Sequence, residues 1–270
     1  MENDREKILK IISEIPELHP IPTPYYGGSR GKKTQIKESY DLDIVLYYSS
    51  EIKTSVRDIY YLVLNKLRTE RDDTVQKNVA IRILKRDKYH IDVVPGKLIS
   101  DNDDFACIYK SNQNKPLKTS VKKHIESVSE FAHRDILKLL KLWKVRNILE
   151  IPSFLLEQIA IIAMENVNFN IALDKALIHI LEFISTKLPT IKIADPANQS
   201  NIITDEDVIN AQNKKIVAEA AKWSLDTNNL ETIKGWENVF RKKEQPPSNS
   251  QGNIQTRPRL APDSPERRFG

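Results

Sequence analysis

Residues Gly27–Tyr48 read GGSRGKKTQIKESYDLDIVLYY, a run that joins a glycine-rich turn to an apolar strand carrying two carboxylates. In DLDIVLYY the side chains of an extended strand alternate between its faces, so Asp41 and Asp43 point one way and Leu42 and Ile44 the other. Two carboxylates aimed at one volume repel each other unless water, a proton or a cation intervenes, and closely spaced carboxylate oxygens suit Mg²⁺. A second apolar run, HIDVVPG from His90 to Gly96, repeats the pattern with Asp92 between Ile91 and Val93. Three convergent carboxylates can hold two metal ions roughly 3.5–4 Å apart, which suits in-line attack at phosphorus. Singly, each Asp is more simply a strand end facing water; three of them behind one glycine-serine turn are not.

The turn has its own chemistry. Gly27 and Gly28 let the backbone approach a ligand with no Cβ in the way, and Ser29 adds a hydroxyl where free helix amides would favour phosphate oxygens. Arg30, Lys32 and Lys33 place positive charge beside it. Alone, Gly-Gly-Ser is only a turn signal. Its weight comes from the Asp-Leu-Asp that follows.

These residues resemble the glycine-serine and Asp-x-Asp element of the polymerase-β-like nucleotidyltransferase superfamily. Three later stretches narrow the likeness: LLKLWK (Leu139–Lys144), IPSFLLEQIA (Ile151–Ala160) and ADPANQSNI (Ala194–Ile202). They resemble segments of 2′-5′ oligoadenylate synthetases and of their bacterial relatives, the cyclic-oligonucleotide synthases of anti-phage signalling, akin to cyclic GMP-AMP synthase. The resemblance covers roughly residues 1–240. It implies an α+β fold with a nucleotidyltransferase sheet lobe and a helical lobe. It also implies two Mg²⁺ ions, or Mn²⁺ in their place, held by Asp41, Asp43 and Asp92. Nucleoside triphosphates would be held at Gly28 and Ser29 with help from Lys141, pyrophosphate would be released, and Asp92 would assist deprotonation of the acceptor hydroxyl. The alternatives are transfer to an RNA end or a protein, or a catalytically inactive scaffold; loss of a metal ligand would mark the scaffold, and all three are present.

The chain of 270 residues, 40% hydrophobic, is long enough for two packed lobes. Its single cysteine, Cys107, excludes an internal disulfide framework and fits a reducing cytoplasm. MENDREKILK has no apolar signal region, and the longest apolar run, near Phe154–Met164, is interrupted by Glu157 and Gln158, so a soluble, cytoplasmic protein without a membrane span is expected. Of the net charge of +5, residues 241–270 carry +4, which leaves the body nearly neutral. Global charge therefore gives no support to nucleic-acid binding. The local basic group Lys110, Lys115, Lys118, Lys122, Lys123 and His124 reads first as a solvated face balanced by Asp101, Asp103 and Asp104.

Periodicity predicts a helix over residues 1–15 with Ile8, Leu9, Ile11, Ile12 and Ile15 on one side, expected to pack across both lobes. A second helix spans Val56–Leu67, and a strand through Val79, Ile81 and Ile83 leads by a hairpin at Arg86–Asp87 into the Asp92 strand, giving a mainly antiparallel or mixed sheet. The expected division is a catalytic lobe over 1–117, a helical lobe over 118–242 and a disordered, proline-rich tail over 243–270. In the helical lobe Ile136, Leu139, Leu140 and Trp143 share a face, IPSFLLEQIAIIAMENV is the buried centre, Leu173–Leu188 forms a third helix, and Thr204 with Asp207 opens a fourth through Ser224.

Several residues carry two readings. Lys141 is either a triphosphate contact, as the resemblance implies, or the wet side of its helix. Glu157, charged in an apolar helix, calls for a basic partner on a neighbouring helix. Asp195-Pro196 reads as a turn, and His90 as a supporting or solvent-facing neighbour of the Asp92 strand. Where related proteins often place a base-stacking aromatic, this chain has Ile161 and Ile162. Gly270, after Arg267, Arg268 and Phe269, resembles a tail joined to other molecules by a ubiquitin-transfer-like conjugating enzyme.

Overall fold

The computed structural model describes residues 2–18, 24–39, 41–85, 89–101, 104–167, 171–228 and 233–241. The expected hairpin at Arg86–Asp87, Asp103 and the tail with Gly270 lie outside them. Two compact units are present: Met1–Glu130 with Pro196–Asn198, and Phe131–Asp195 with most of the remaining chain.

The first unit contains α1 (Glu2–Ser13), a short 3₁₀ turn (Pro16–Leu18), β1 (Tyr25–Tyr26), α2 (Gly28–Gly31), β2 (Leu42–Tyr48), α3 (Val56–Glu70), β3 (Thr74–Gln76), β4 (Ile81–Leu84), β5 (His90–Leu98), β6 (Ala106–Lys110), β7 (Lys115–Thr119) and α4 (Val121–Ser129). Helix α4, placed by sequence with the helical half, falls in this unit. The seven strands make one mixed sheet ordered β1-β2-β5-β4-β3, with β6 and β7 continuing from β5. β2 and β5 run parallel at its centre, and their neighbours are antiparallel.

Strand β5 changes partners along its length: His90–Val93 pair with β4 and Gly96–Leu98 with β6. Pro95 falls between the two pairings, where its missing N–H leaves no gap in either ladder. One face of the sheet presents Leu42, Ile44, Leu46, Tyr48, Ile91 and Val93, all buried against α1 and α3. Helix α3 starts where Ser55 Oγ accepts the Asp58 amide at 3.1 Å. It buries Ile59, Tyr60, Val63, Leu64 and Leu67, each contributing about 1.5–3 kcal/mol on burial. Ile8, Ile12 and Ile15 join this core, as the periodicity of the first helix requires. The opposite face is apolar only farther along, at Val45, Tyr47, Ala106 and Ile108. Its near end carries the aspartates.

The second unit contains α5 (Arg134–Arg146), α6 (Ser153–Ala163), α7 (Leu173–Lys187), β8 (Ala194–Asp195), all of β9 (Asn198–Ile202) but its first residue, α8 (Ala211–Thr227) and α9 (Ile233–Phe240), and β8 and β9 pair as a hairpin. Trp143 is fully buried, and its indole N–H donates to Ser224 Oγ at 2.9 Å, tying α5 to α8. Asp195-Pro196 is the expected turn, within the hairpin. The fourth helix begins later than Thr204: Asn210 caps α8 by accepting the Asn213 amide at 2.7 Å. Thr204 is buried, and its hydroxyl accepts the Ile193 amide at 3.0 Å. A side chain spent on a distant backbone group cannot cap locally, so the cap passes to Asn210. No helix among the described residues is long and apolar enough to cross a membrane.

Candidate active site

In the parallel pairing of β2 with β5, Asp43 sits directly opposite Asp92. In the antiparallel pairing of β4 with β5, Asp92 sits directly opposite Arg82. Opposed residues share a sheet face, so Arg82, Asp92 and Asp43 form a row across three adjacent strands. Backbone register holds that row.

Arg82 meets Asp92 as a two-pronged fork, with Nε donating to Oδ1 and Nη2 to Oδ2, both at 2.8 Å. His90, two residues before Asp92 and on the same face, brings Nδ1 within 2.9 Å of Asp41 Oδ1 and Nε2 within 3.6 Å of Asp92 Oδ2. It is thus a bridge between two of the carboxylates rather than a solvent-facing neighbour. Burial first, and then the charges of Asp92 and Asp41, push the Asp43 carboxyl up to about 6 against the opposing pull of His90 and Lys32. Burial and the two neighbouring carboxylates together outweigh the cations at Asp43.

The glycine turn is fitted to that carboxylate. The Gly27 amide donates to the Asp43 carbonyl at 3.1 Å. Gly28 has φ +52°, in the left-handed region, and a Cβ there would collide with Asp43 Oδ2. Two requirements, one of conformation and one of space, therefore fall on one residue. Ser29 follows in the single turn α2, its carbonyl accepting the Thr34 amide at 3.0 Å. Lys32 is buried near Asp43, whereas the Arg30 guanidinium lies over the Tyr26 ring at 4.0 Å.

The chemistry of this donor set fits divalent metal. Asp41, Asp43 and Asp92 offer oxygen ligands on one sheet face, and the raised Asp43 carboxyl marks the place where added positive charge is most favourable. As they stand, with Arg82 and His90 on their oxygens, no three His, Cys, Asp or Glu side chains among the described residues form a ready-made cage.

No family model and no curated protein matches the chain. Solved structures do. E. coli MS115-1 CdnC with ATP superimposes with a TM-score of 0.67 over 91% of this chain and 92% of that one, at 17% identity. Bradyrhizobium diazoefficiens CD-NTase CdnG in complex with GTP gives 0.62 over 88% of this chain and 90% of that one, at 13% identity. Vibrio cholerae DncV cyclic AMP-GMP synthase, a prokaryotic cGAS homolog, gives 0.65 over 88% and 75%, at 15% identity. The chain has the CD-NTase fold.

Within that CD-NTase fold the helical unit holds a second charged group. Lys141 on α5 and Glu157 on α6 are both buried, and Nζ lies 2.6 Å from Oε1. Glu157 has the basic partner its surroundings demanded, and Lys141 does not lie on a wet helix face. The face of α5 differs accordingly: Leu137 and Lys141 are buried with Ile136, Leu140 and Trp143, and Leu139 is only partly so. The basic group near β7 and α4 is largely partnered: Lys122 reaches Asp104 at 2.7 Å, Lys123 reaches Glu126 at 2.9 Å, and Lys118 lies over Phe105 at 4.2 Å.

Sequence reasoning missed Arg82. The signal was available: in NVAIRILK, Arg82 alternates with Ile81 and Ile83, and a hairpin into HIDVV sets it beside Asp92.

Proposed function

We propose that this protein is a metal-dependent nucleotidyltransferase that joins nucleoside triphosphates into a cyclic or short oligonucleotide second messenger with release of pyrophosphate. The observation that carries the reading is the registered pair Asp43 and Asp92 on parallel central strands, with Gly28 closed over Asp43. The similar structures add their own substrates to that support: CdnC with ATP, CdnG with GTP, and DncV with the linear intermediate 5′ pppA(3′,5′)pG.

In this reading Asp41, Asp43 and Asp92 would hold two Mg²⁺ ions, whose chemistry would be to neutralise charge on the triphosphate and on the leaving pyrophosphate. Gly28 keeps the space above Asp43 clear, and the turn at Gly28 and Ser29 offers backbone amides and a hydroxyl to phosphate oxygens. Lys32 adds fixed positive charge beside them. Lys141 contributes to triphosphate binding through its helical unit. A ribose hydroxyl oxygen of the acceptor nucleotide bonds to the α-phosphorus, the bond to pyrophosphate breaks, and the hydroxyl proton passes to solvent water with help from Asp92. The resemblance to anti-phage synthases supports a bacterial defence role in the cytoplasm. One similar structure is a CdnC complex with a HORMA protein, so partner-dependent activity is part of the proposal.

The test is incubation of purified protein with each labelled nucleoside triphosphate, singly and in pairs, with Mg²⁺ or Mn²⁺. Phosphatase-resistant oligonucleotides are expected, and D41A/D43A should reduce their formation by several orders of magnitude. Turnover retained in D41A/D43A sinks the assignment. Labelling of added RNA or protein instead would move the acceptor to a macromolecule.

A further inference from the structure

We propose that Arg82 is a resident counter-ion that holds divalent metal off Asp92 until a triphosphate arrives, making metal binding depend on nucleotide. The inference rests on the reading of Asp41, Asp43 and Asp92 as metal ligands, and it concerns a positioning residue rather than a catalytic one.

Three observations carry it. First, the fork takes both carboxylate oxygens of Asp92, at 2.8 Å each. An ion can bind that carboxylate only by displacing or sharing a charge-assisted hydrogen bond. Second, β4 and β5 hold Arg82 opposite Asp92 by register, so the pairing persists without help from loops. Third, the pair is partly sheltered, Asp92 being 13% and Arg82 29% exposed at the side chain, where solvent weakens the bond less than at an open surface.

Arg82 also lowers the negative field that draws metal in. A bound triphosphate would restore that field and offer the guanidinium other oxygens, so metal and nucleotide should strengthen each other's binding by the same factor. A plain sheet-stabilising ion pair predicts something different: loss of Arg82 would cost stability and leave metal affinity unchanged. A pre-organising role for the fork predicts weaker metal binding when Arg82 is lost. The three possibilities move one measurement in three directions.

The experiment is Mn²⁺ titration of the full chain, followed by electron paramagnetic resonance of the free ion, with and without a non-hydrolysable ATP analogue. Wild type, Arg82→Gln, Arg82→Lys and Asp43→Asn are compared, with thermal melting as a check on folding. Wild type should bind Mn²⁺ at least about tenfold more tightly with the analogue than without it. R82Q should bind Mn²⁺ alone about tenfold more tightly than wild type, the worth of one charge-assisted hydrogen bond, and the effect of the analogue should shrink. R82K, which keeps the charge but loses the fork, should fall between. Unchanged or weaker binding of Mn²⁺ alone in R82Q overturns the inference; should R82Q fail to fold, the same outcome in R82K overturns it. If D43N binds Mn²⁺ with the analogue as wild type does, the metal-site reading itself fails, which separates the two.

Discussion

The sheet unit and the helical unit both hold charge away from water, and they do so in opposite ways. Lys141 and Glu157 form one buried pair with a short contact and no excess of either sign between them. Around Asp43 three carboxylates face Arg82, His90 and Lys32, and burial together with the neighbouring carboxylates still leaves Asp43 raised to about 6. A balanced pair locks two helices together. An unbalanced cluster stores unfavourable electrostatic energy that a cation can relieve, so the folded state is kept less stable there in return for affinity toward a charged ligand.

Breaking the balanced pair should have the largest effect on stability. Glu157→Ala leaves a buried ammonium without its partner and should lower unfolding stability by about 3–5 kcal/mol. A double substitution to apolar residues of similar volume, Lys141→Met with Glu157→Leu, should recover most of the loss in denaturant titration. If Lys141 also binds triphosphate, the double variant should be stable but show a raised KM for nucleotide.

The unbalanced cluster should respond with the opposite sign. Asp43→Asn removes a buried charge, so in the presence of a chelator the variant should melt at a higher temperature than wild type at pH 7.5. The shift follows from linkage. A carboxyl whose folded value is raised destabilises the fold when ionised, and the penalty is present above about pH 6 and relieved as pH falls through that value toward 4. About two pH units correspond to about 3 kcal/mol at most. The advantage of D43N should therefore shrink between pH 7.5 and 5, and an advantage that grows on acidification would show that Asp43 is not the strained group.

The smallest effect sharpens the contrast by touching neither cluster. Asn210→Ala removes the cap of α8 and should cost about 1 kcal/mol by thermal melting, with no change in its pH dependence.

How the site reads in sequence depends on the range of the interactions that build it. Strand alternation in DLDIVLYY and HIDVV gave Asp41, Asp43 and Asp92 one facing direction each, and Gly28 beside them was legible as a close approach of backbone. Helical spacing gave the buried faces of α1, α3 and α7. What failed was cap chemistry and pairing: Thr204 resembles a helix start, but its hydroxyl accepts from Ile193, eleven positions earlier in the chain. Similarly, the pairing of Lys141 with Glu157 was not legible, because a lone lysine in a helix does not show which residue lies across from it.

The sequence by itself determined the two periodicities, the residue types at the glycine turn and the three aspartates, since these follow from the alternation of neighbours along the chain. Only the tertiary structure decided that Asp43 faces Asp92 across parallel strands, that Arg82 takes both oxygens of Asp92, and that Glu157 neutralises Lys141. The physical reason is that strand register and helix packing bring together residues far apart in the chain, and the sign and balance of charge in a site belong to those pairings rather than to any one residue.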